Sequence, residues 1–337
     1  MQCQWKDKVL AVTPADFEKL ALDLFRFQYA NNDVYRQYTD VLKIDPQTVQ
    51  VLPKIPFLPI RFFKTHIIMT TAFRPEAVFE SSGTTSTVNS KHFIKDLPVY
   101  KNDFKKGFEL FYGAVQGWCI IGLLPSYLER QNSSLVYMVN ELVQLSGHAK
   151  SGFYLNEYDE LLAVMNELET QNQKTIVIGV TFALLDLSSL YARKNEKPLR
   201  HTIIMETGGM KGRRKEMVRQ EVHDILKKSF GVSQIHSEYG MTELLSQGYS
   251  EGEGIFHCPP WMRIMLRDEE DPFEIKRASP GNIPCASGMI NVIDLANIYS
   301  CCFIATDDIG RLYQDGSFEV MGRMDNSDLR GCSLMVV

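Results

Sequence analysis

The chain has 337 residues, 45% of them hydrophobic and 23% charged, enough to bury a substantial core in one large or two modest domains. Its formal net charge of −5 is small and spread along the sequence, which excludes the basic field that draws nucleic acid, and with it a DNA- or RNA-binding role. No run of about 18 apolar residues occurs, and Met1-Gln2-Cys3-Gln4-Trp5-Lys6 places no apolar stretch behind a basic start, so neither a membrane span nor export is expected.

From Pro14 to about Leu42 the apolar spacing of Phe17, Leu20, Leu22, Leu24 and Phe25 predicts a leading helical segment, with Thr13 as its cap. Prolines 53, 56 and 59 then forbid regular structure, so Leu52 to Ile60 is expected to lie extended across the core and to join the helices to the main sheet. From Trp118 onward short apolar runs alternate with amphipathic stretches: Cys119 to Leu124, Ser134 to Leu145, Thr175 to Val180, Thr202 to Met205, Lys215 to Phe230 with Gly231 as the stop, and Gln234 to His236. Such alternation predicts an α/β fold with a mainly parallel sheet between helices. After Gly248 short strands such as Met289 to Asp294 and Phe318 to Met321 predict a β-rich end, with a joint near residues 248 to 260. The expected divisions are 1–75 (helices and proline-rich connection), 76–250 (α/β core) and 251–337 (β-rich part with a cysteine-bearing tail). Seven cysteines without a CxxC pair, two of them adjacent at Cys301-Cys302, predict reduced thiols and a cytoplasmic protein.

Four short stretches carry the candidate chemistry. Ser81 to Ser86 offers one glycine and five hydroxyls, able to wrap a polyphosphate; it lacks the GxxxxGK[ST] spacing, and the alternative is an ordinary serine/threonine turn. Tyr239-Gly240-Met241-Thr242-Glu243 follows a predicted strand ending near His236, where open α/β sheets place ligands. Glu243 is suited to hold Mg²⁺, Thr242 to bond a phosphate oxygen and Tyr239 to pack on a purine; the alternative is a plain strand-to-helix turn. Asp308, read as a turn residue after the apolar run Cys302 to Ala305, suits two ribose hydroxyls, with Asp307 solvated beside it. Arg323 suits ribose oxygen or phosphate, or else a surface ion pair. No HExxH, paired His/Cys spacing or GxSxG elbow points to a zinc centre or a serine hydrolase.

Taken in order, and with Thr207-Gly208-Gly209 upstream of the second, these stretches resemble the adenylate-forming superfamily of acyl-CoA synthetases, peptide-synthetase adenylation domains and luciferases. The resemblance implies that Ser82, Gly83, Thr84 and Thr85, with Ser86 beside them, line the phosphates of ATP. It places Gly208, Gly209, Tyr239, Gly240 and Met241 around the adenine and acyl pocket, Thr242 and Glu243 on the α-phosphate and Mg²⁺, and Asp308 and Arg323 on the ribose. Within the superfamily, Ile55-Pro56-Phe57-Leu58-Pro59-Ile60-Arg61-Phe62-Phe63-Lys64-Thr65 and Arg330-Gly331-Cys332-Ser333 resemble the acyl-protein synthetase of the bacterial luminescence fatty-acid reductase.

That closer likeness implies adenylation of a fatty acid followed by transfer of the acyl group to Cys332, whose thiolate Arg330 would favour. An acyl-reductase, an acyltransferase or a carrier protein would then take it. The alternatives are a ligase that loads coenzyme A or a carrier protein without using Cys332, and a non-catalytic nucleotide-binding subunit. The expected fold is the N-terminal part of an adenylate-forming enzyme, its usual mobile C-terminal domain absent or vestigial. Lys64, Lys211 and Arg213 are candidates for the charge that domain's lysine supplies. Phe79, Trp118, Tyr127 and Tyr154 are candidate pocket aromatics.

Overall fold

Two strands with no exposed position, Cys119–Leu123 and Thr175–Val180, sit side by side at the centre of a six-stranded sheet. Strands covered on both faces read as continuous apolar runs, which is why the sequence marks them clearly. The computed structural model describes residues 4–81, 88–124, 132–155, 157–208, 217–276 and 286–324. The sheet runs in the order Gly152–Phe153, Cys119–Leu123, Thr175–Val180, Thr202–Thr207, His236–Tyr239 and Gly248–Ser250, all parallel except the last.

The connecting helices include Leu97–Tyr112, Ser134–Ser146, Tyr158–Thr170, Thr181–Arg193 and Arg219–Phe230. Their ends follow the sequence chemistry. Asp96 and Ser133 accept backbone N–H groups of Val99 and Val136 at two N-termini. Gly231, at φ +67°, ends the last helix where a Cβ would also meet Pro198 at 2.6 Å. That helix begins at Arg219, inside the predicted span from Lys215, whose first residues lie outside those described.

The second sheet is antiparallel, in the order Ile255–Phe256, Phe318–Arg323, Phe303–Leu312, Ala286–Asp294, Met262–Arg267 and Ile275–Lys276. The chain passes from the first sheet to the second between Ser250 and Ile255. Leu58–Pro59 adds a short parallel strand, with Leu58 opposite Ile304. The proline-rich stretch, expected to join the helices to the main sheet, is therefore stitched to the antiparallel sheet, the larger of the two. Leu52, Ile55, Phe57, Leu58 and Ile60 are all buried there, so apolar burial selects the docking face.

The leading helical segment is two helices, Phe17–Asn31 and Asp33–Val41, broken at the extended residue Asn32. Asn32 Oδ1 accepts from the Tyr35 N–H and caps the second helix, while its Nδ2 donates to Ser300 O at 3.1 Å. Thr13 caps the turn that leads into the first of these helices: its Oγ1 accepts the Asp16 N–H at 3.3 Å and its carbonyl accepts the Phe17 N–H at 3.1 Å. Gln28, fully buried, donates to the carbonyls of Asn297 and Ile298 and accepts from the Cys302 N–H, pinning these helices to the turn before Phe303–Leu312. Among the described residues no helix is long and apolar enough to cross a membrane.

One predicted turn is strand: Asp308 lies inside Phe303–Leu312. The strand expected over Phe318 to Met321 runs on, so that Arg323 is its last residue. The acidic Thr306-Asp307-Asp308 stretch lies at a β-bulge: the neighbouring strand pairs Asn291 with Ala305 and Met289 with Ile309, leaving only Ile290 opposite these three residues, while on the other side Asp308 pairs with Arg323 and a second register shift follows at Ile309/Gly310. Tyr239 likewise closes the strand His236–Tyr239, so the loop starts at Gly240.

Candidate active site

Asp308 and Arg323 face each other across two antiparallel strands. Arg323 Nε donates to Asp308 Oδ1 at 3.2 Å, and the Tyr239 hydroxyl, arriving from the parallel sheet, donates to Oδ2 at 2.9 Å. Asp308 is buried and its N–H rests on Thr306 Oγ1 at 3.2 Å. Beneath it the buried Arg267 donates to Thr306 O and to Asn291 Oδ1, each at 2.6 Å, and so fixes the strand that carries the carboxylate. Asp307 is not simply solvated: it is half-buried and accepts from Arg61 Nε at 3.2 Å.

Glu243 is buried, with 5% of its surface exposed. Burial pushes its carboxyl above the usual range, opposed by the Ser90 hydroxyl, its own backbone N–H and the charges of Arg323 and Lys64. Burial likewise works against the Arg323 cation, but Asp308, Asp307 and Glu243 outweigh it and raise its pKa. Arg323 is thus paired with Asp308 and acts electrostatically on Glu243, two carboxylates that the sequence separates by 65 positions. The loop around Glu243 is held by its carbonyls: His92 Nδ1 lies 2.8 Å from Thr242 O, and Asn297 Nδ2 donates to Glu243 O at 2.9 Å. Asp294 accepts the N–H groups of Leu245 and Ser246, just beyond Glu243, at 2.8 and 3.1 Å.

The hydroxyl-rich residues Ser82, Gly83, Thr84, Thr85 and Ser86 lie outside the described residues, as do Gly209, Lys211, Arg213, Tyr127 and Cys332. The neck of that loop is described. It joins the hairpin strands Ala77–Glu80 and Lys91–Ile94, and is tied by Ser81 N–H to Ser90 O at 3.0 Å and Ser90 N–H to Ser81 Oγ at 2.9 Å. Ser90 is the residue whose hydroxyl reaches Glu243, so the loop springs from the floor of the Glu243 site.

Of the remaining expected residues, Gly208 (φ +69°) follows the strand Thr202–Thr207, and its carbonyl accepts from Thr181 Oγ1 at 3.1 Å. Gly240 has no room for a side chain, because a Cβ would stand 2.3 Å from Glu238 Oε1. Met241 is half-buried against the core. The Tyr239 ring is packed edge-on by Phe256 and Phe318, at 6.0 and 5.4 Å between centroids, and not laid open for stacking. Tyr239, Thr242, Glu243, Asp308 and Arg323 thus meet at the junction of the two sheets. The three described pocket aromatics are spread apart: Phe79 packs on Tyr100 and Tyr137, Trp118 on Tyr112, and Tyr154 lines a separate shallow depression with Lys150 and Glu160.

Several residues at this junction escaped the sequence reading. Ser90, His92 and Asn297 act through partners far along the chain, and only the Ser81/Ser90 flanking of the hydroxyl loop was a local signal. Burial lowers His92 to about 4, so its ring is neutral and its Nδ1–H donates to Thr242 O. Burial pushes Glu238 up to about 7, opposed by the Thr207 hydroxyl. Arg219 spans the two sheets, donating to Glu206 Oε1 at 3.0 Å and Val320 O at 2.9 Å.

Among the described residues no group of three or more His, Cys, Asp or Glu is placed to hold a metal ion. The described thiols, Cys119, Cys258, Cys301 and Cys302, are all pushed up by burial, Cys301 to about 12.

Comparison with known proteins agrees with this architecture. The long-chain-fatty-acid–luciferin-component ligase of Vibrio harveyi is 24% identical over 339 residues, spanning 94% of this chain and 86% of that one. ATP-bound MatB from Rhodopseudomonas palustris superposes with a TM-score of 0.52 at 16% identity, over 73% of this chain and 48% of that one. A long-chain-fatty-acid–CoA ligase (FadD1) from Archaeoglobus fulgidus superposes with a TM-score of 0.51 at 13% identity, over 73% of this chain and 51% of that one. The chain thus covers about half the length of these solved structures, and the likeness to them is one of fold, that of adenylate-forming enzymes. The acyl-protein synthetase, LuxE, pattern matches residues 14–337, and the chain belongs to that family.

Proposed function

We propose that this acyl-protein synthetase uses ATP to convert a fatty acid into its acyl-adenylate and then moves the acyl group onto the thiol of Cys332. The observation that carries the reading is the meeting of Glu243, Arg323 and Asp308 at the neck of the hydroxyl-rich loop. A nucleotide laid across this junction has its ribose hydroxyls at Asp308, a carboxylate with lone pairs to spare beyond Tyr239 and Arg323. Its phosphates lie toward Thr242 and the loop of Ser82, Gly83, Thr84, Thr85 and Ser86. Gly208, Gly209, Gly240 and Met241 border the base and the acyl chain. The adenylate-forming fold shared with MatB, a protein whose solved structure holds ATP, supports the use of a nucleotide, and the name of the Vibrio harveyi relative supports a fatty acid as the substrate.

In the first step a carboxylate oxygen of the acid attacks the α-phosphorus, the bond to the β-phosphate bridging oxygen breaks, and pyrophosphate leaves. Such a step needs positioning and charge neutralisation more than a protein nucleophile. Lys64, exposed and acting electrostatically on Glu243, supplies positive charge from the protein side. A buried carboxylate with no group of three or more His, Cys, Asp or Glu around it among the described residues suits Mg²⁺, which keeps most of its waters and takes one or two carboxylates plus phosphate oxygens. Glu243 would hold it, and the ion would offset phosphate charge. In the second step a thiolate attacks the acyl carbon, the bond to the phosphate oxygen breaks, and AMP leaves. The described thiols are poor candidates because each is held protonated by burial. Three cysteines, Cys3, Cys285 and Cys332, lie outside the described residues; among them the resemblance to the acyl-protein synthetases favours Cys332 as acceptor, from which an acyl-reductase, acyltransferase or carrier protein would receive the acyl group.

Fatty-acid-dependent exchange of pyrophosphate into ATP, run beside retention of labelled acyl group on the protein, tests both steps. Cys332→Ala is expected to keep the exchange and lose the label. Absence of exchange with every carboxylic acid tried would refute the activation step, and full label on Cys332→Ala would refute the acceptor.

A further inference from the structure

The Thr242–Glu243 dipeptide is held by its main chain from two directions. Thr242 O faces His92 Nδ1 at 2.8 Å, and Glu243 O accepts from Asn297 Nδ2 at 2.9 Å. Both side chains are about 1% exposed, so neither bond competes with water. They belong to different parts of the fold. His92 sits on the hairpin strand that closes the hydroxyl-rich loop, two residues after Ser90, with its ring edge-on to Phe63 at 5.9 Å. Asn297 sits in the turn between the antiparallel strands Ala286–Asp294 and Phe303–Leu312, the second of which carries Asp308.

Fixing two successive carbonyls sets the peptide planes on both sides of the Glu243 Cα, and with them the direction in which its carboxylate leaves the chain. A neutral imidazole is required, because the ring must donate from Nδ1 without importing a charge beside Glu243. The apolar setting keeps it neutral down to about pH 4.

From this geometry we infer that His92 and Asn297 are positioning residues, a pair of donors that lock the Thr242–Glu243 main chain so that the Glu243 carboxylate meets the metal ion of a metal–nucleotide complex. The same pair ties the hydroxyl-loop hairpin and the Asp308 strand to one point, so displacement of any of the three would be felt at the other two. The inference rests on the reading of Glu243 as the metal-holding carboxylate.

The test measures binding, not turnover. The full chain is titrated with the Mn²⁺ complex of the non-hydrolysable analogue α,β-methylene-ATP, followed by water-proton relaxation, and separately with the metal-free analogue. In His92→Phe and in Asn297→Ala, the dissociation constant for the Mn²⁺ complex is expected to rise about tenfold while that for the metal-free analogue stays within about twofold, the range expected for lost outer-shell support. His92→Asn, whose amide places a donor near the lost Nδ1, is expected to restore metal-complex binding. A purely structural contribution would weaken both forms of the nucleotide alike, and that result, or a folded His92→Phe protein that binds the Mn²⁺ complex like the parent, overturns the inference. If the parent protein binds the metal complex no better than the metal-free analogue, it is the Glu243 reading that falls. Should His92→Phe fail to fold, the same comparison on Asn297→Ala decides the matter.

Discussion

The Tyr239 hydroxyl donates to Asp308 Oδ2 at 2.9 Å, joining the last residue of a parallel strand to the middle of an antiparallel one 69 positions later. This bond sets where the carboxylate points, and Arg323 on the other oxygen keeps it from turning. Asp308→Asn removes the charge that both donors share. Hydrogen bonds to charged groups contribute about 1.5–3 kcal/mol, so the KM for ATP is expected to rise about tenfold to a hundredfold. Steady-state kinetics at saturating fatty acid reads this directly, and an unchanged KM would remove Asp308 from the nucleotide site.

Glu243→Gln keeps the size of the side chain and the Ser90 contact but loses the charge. A fall of about a hundredfold to a thousandfold in exchange rate is expected, the scale seen when a preorganised electrostatic element is removed. Lys64→Ala, at an exposed position, should lower the rate about tenfold without changing thermal stability. Wild-type exchange by the Lys64→Ala protein would exclude that lysine from the reaction.

The four described cysteines make a chemical prediction of their own. Alkylation of the native protein at pH 7.5 should spare Cys119, Cys258, Cys301 and Cys302, since burial both raises their pKa and blocks access. Mass spectrometry of the labelled protein checks this. Rapid modification of Cys301 or Cys302 would contradict the buried environment described for them.

Glu238 predicts a pH dependence of stability. In the unfolded chain its carboxyl ionises near 4.5, whereas in the folded protein burial pushes it up to about 7. The folded state therefore holds the proton longer, and stability falls as pH rises from about 4.5 through 7. The difference corresponds to about 3 kcal/mol once pH exceeds 7. Glu238→Gln should abolish that component, gaining on the parent protein by this amount between pH 4.5 and pH 8 in urea unfolding. A gap independent of pH would show that Glu238 titrates normally.

His92 and His236 give the opposite sign. Burial holds both near 4 against 6.5 when unfolded, so their contribution is intact above about 6.5 and is lost as pH falls toward 4. Proton NMR of the imidazole rings should show midpoints near 4, and a midpoint near 6.5 for His92 would place its ring in water.

The strands at the centre of the parallel sheet were legible because burial on both faces leaves a continuous apolar run, as in Thr175–Val180, which the sequence delimits to the residue. Asp308 was misplaced for an equally physical reason. Thr306-Asp307-Asp308-Ile309-Gly310 has the composition of an acidic turn, yet Gly310 is there because a Cβ would meet Glu319 O at 2.6 Å across the strand pair. A glycine that permits close approach of two strands and one that permits a turn look alike in a single sequence. His92 and Asn297 left no trace at all, since their partners lie 150 and 54 positions away and neither spacing nor periodicity encodes them.

The attachment of Gln28 to the carbonyl of Asn297, across 269 positions, has a bearing on biogenesis. Leu58 finds its strand partner, Ile304, at a comparable distance. During synthesis the helices Phe17–Asn31 and Asp33–Val41 emerge with Phe17, Leu24 and Phe25 uncovered and must wait until Phe303–Leu312 is made before the surface that shelters them exists. Ribosome-bound intermediates of this protein should for that reason be clients of general chaperones until the Phe303–Leu312 strand has left the exit tunnel.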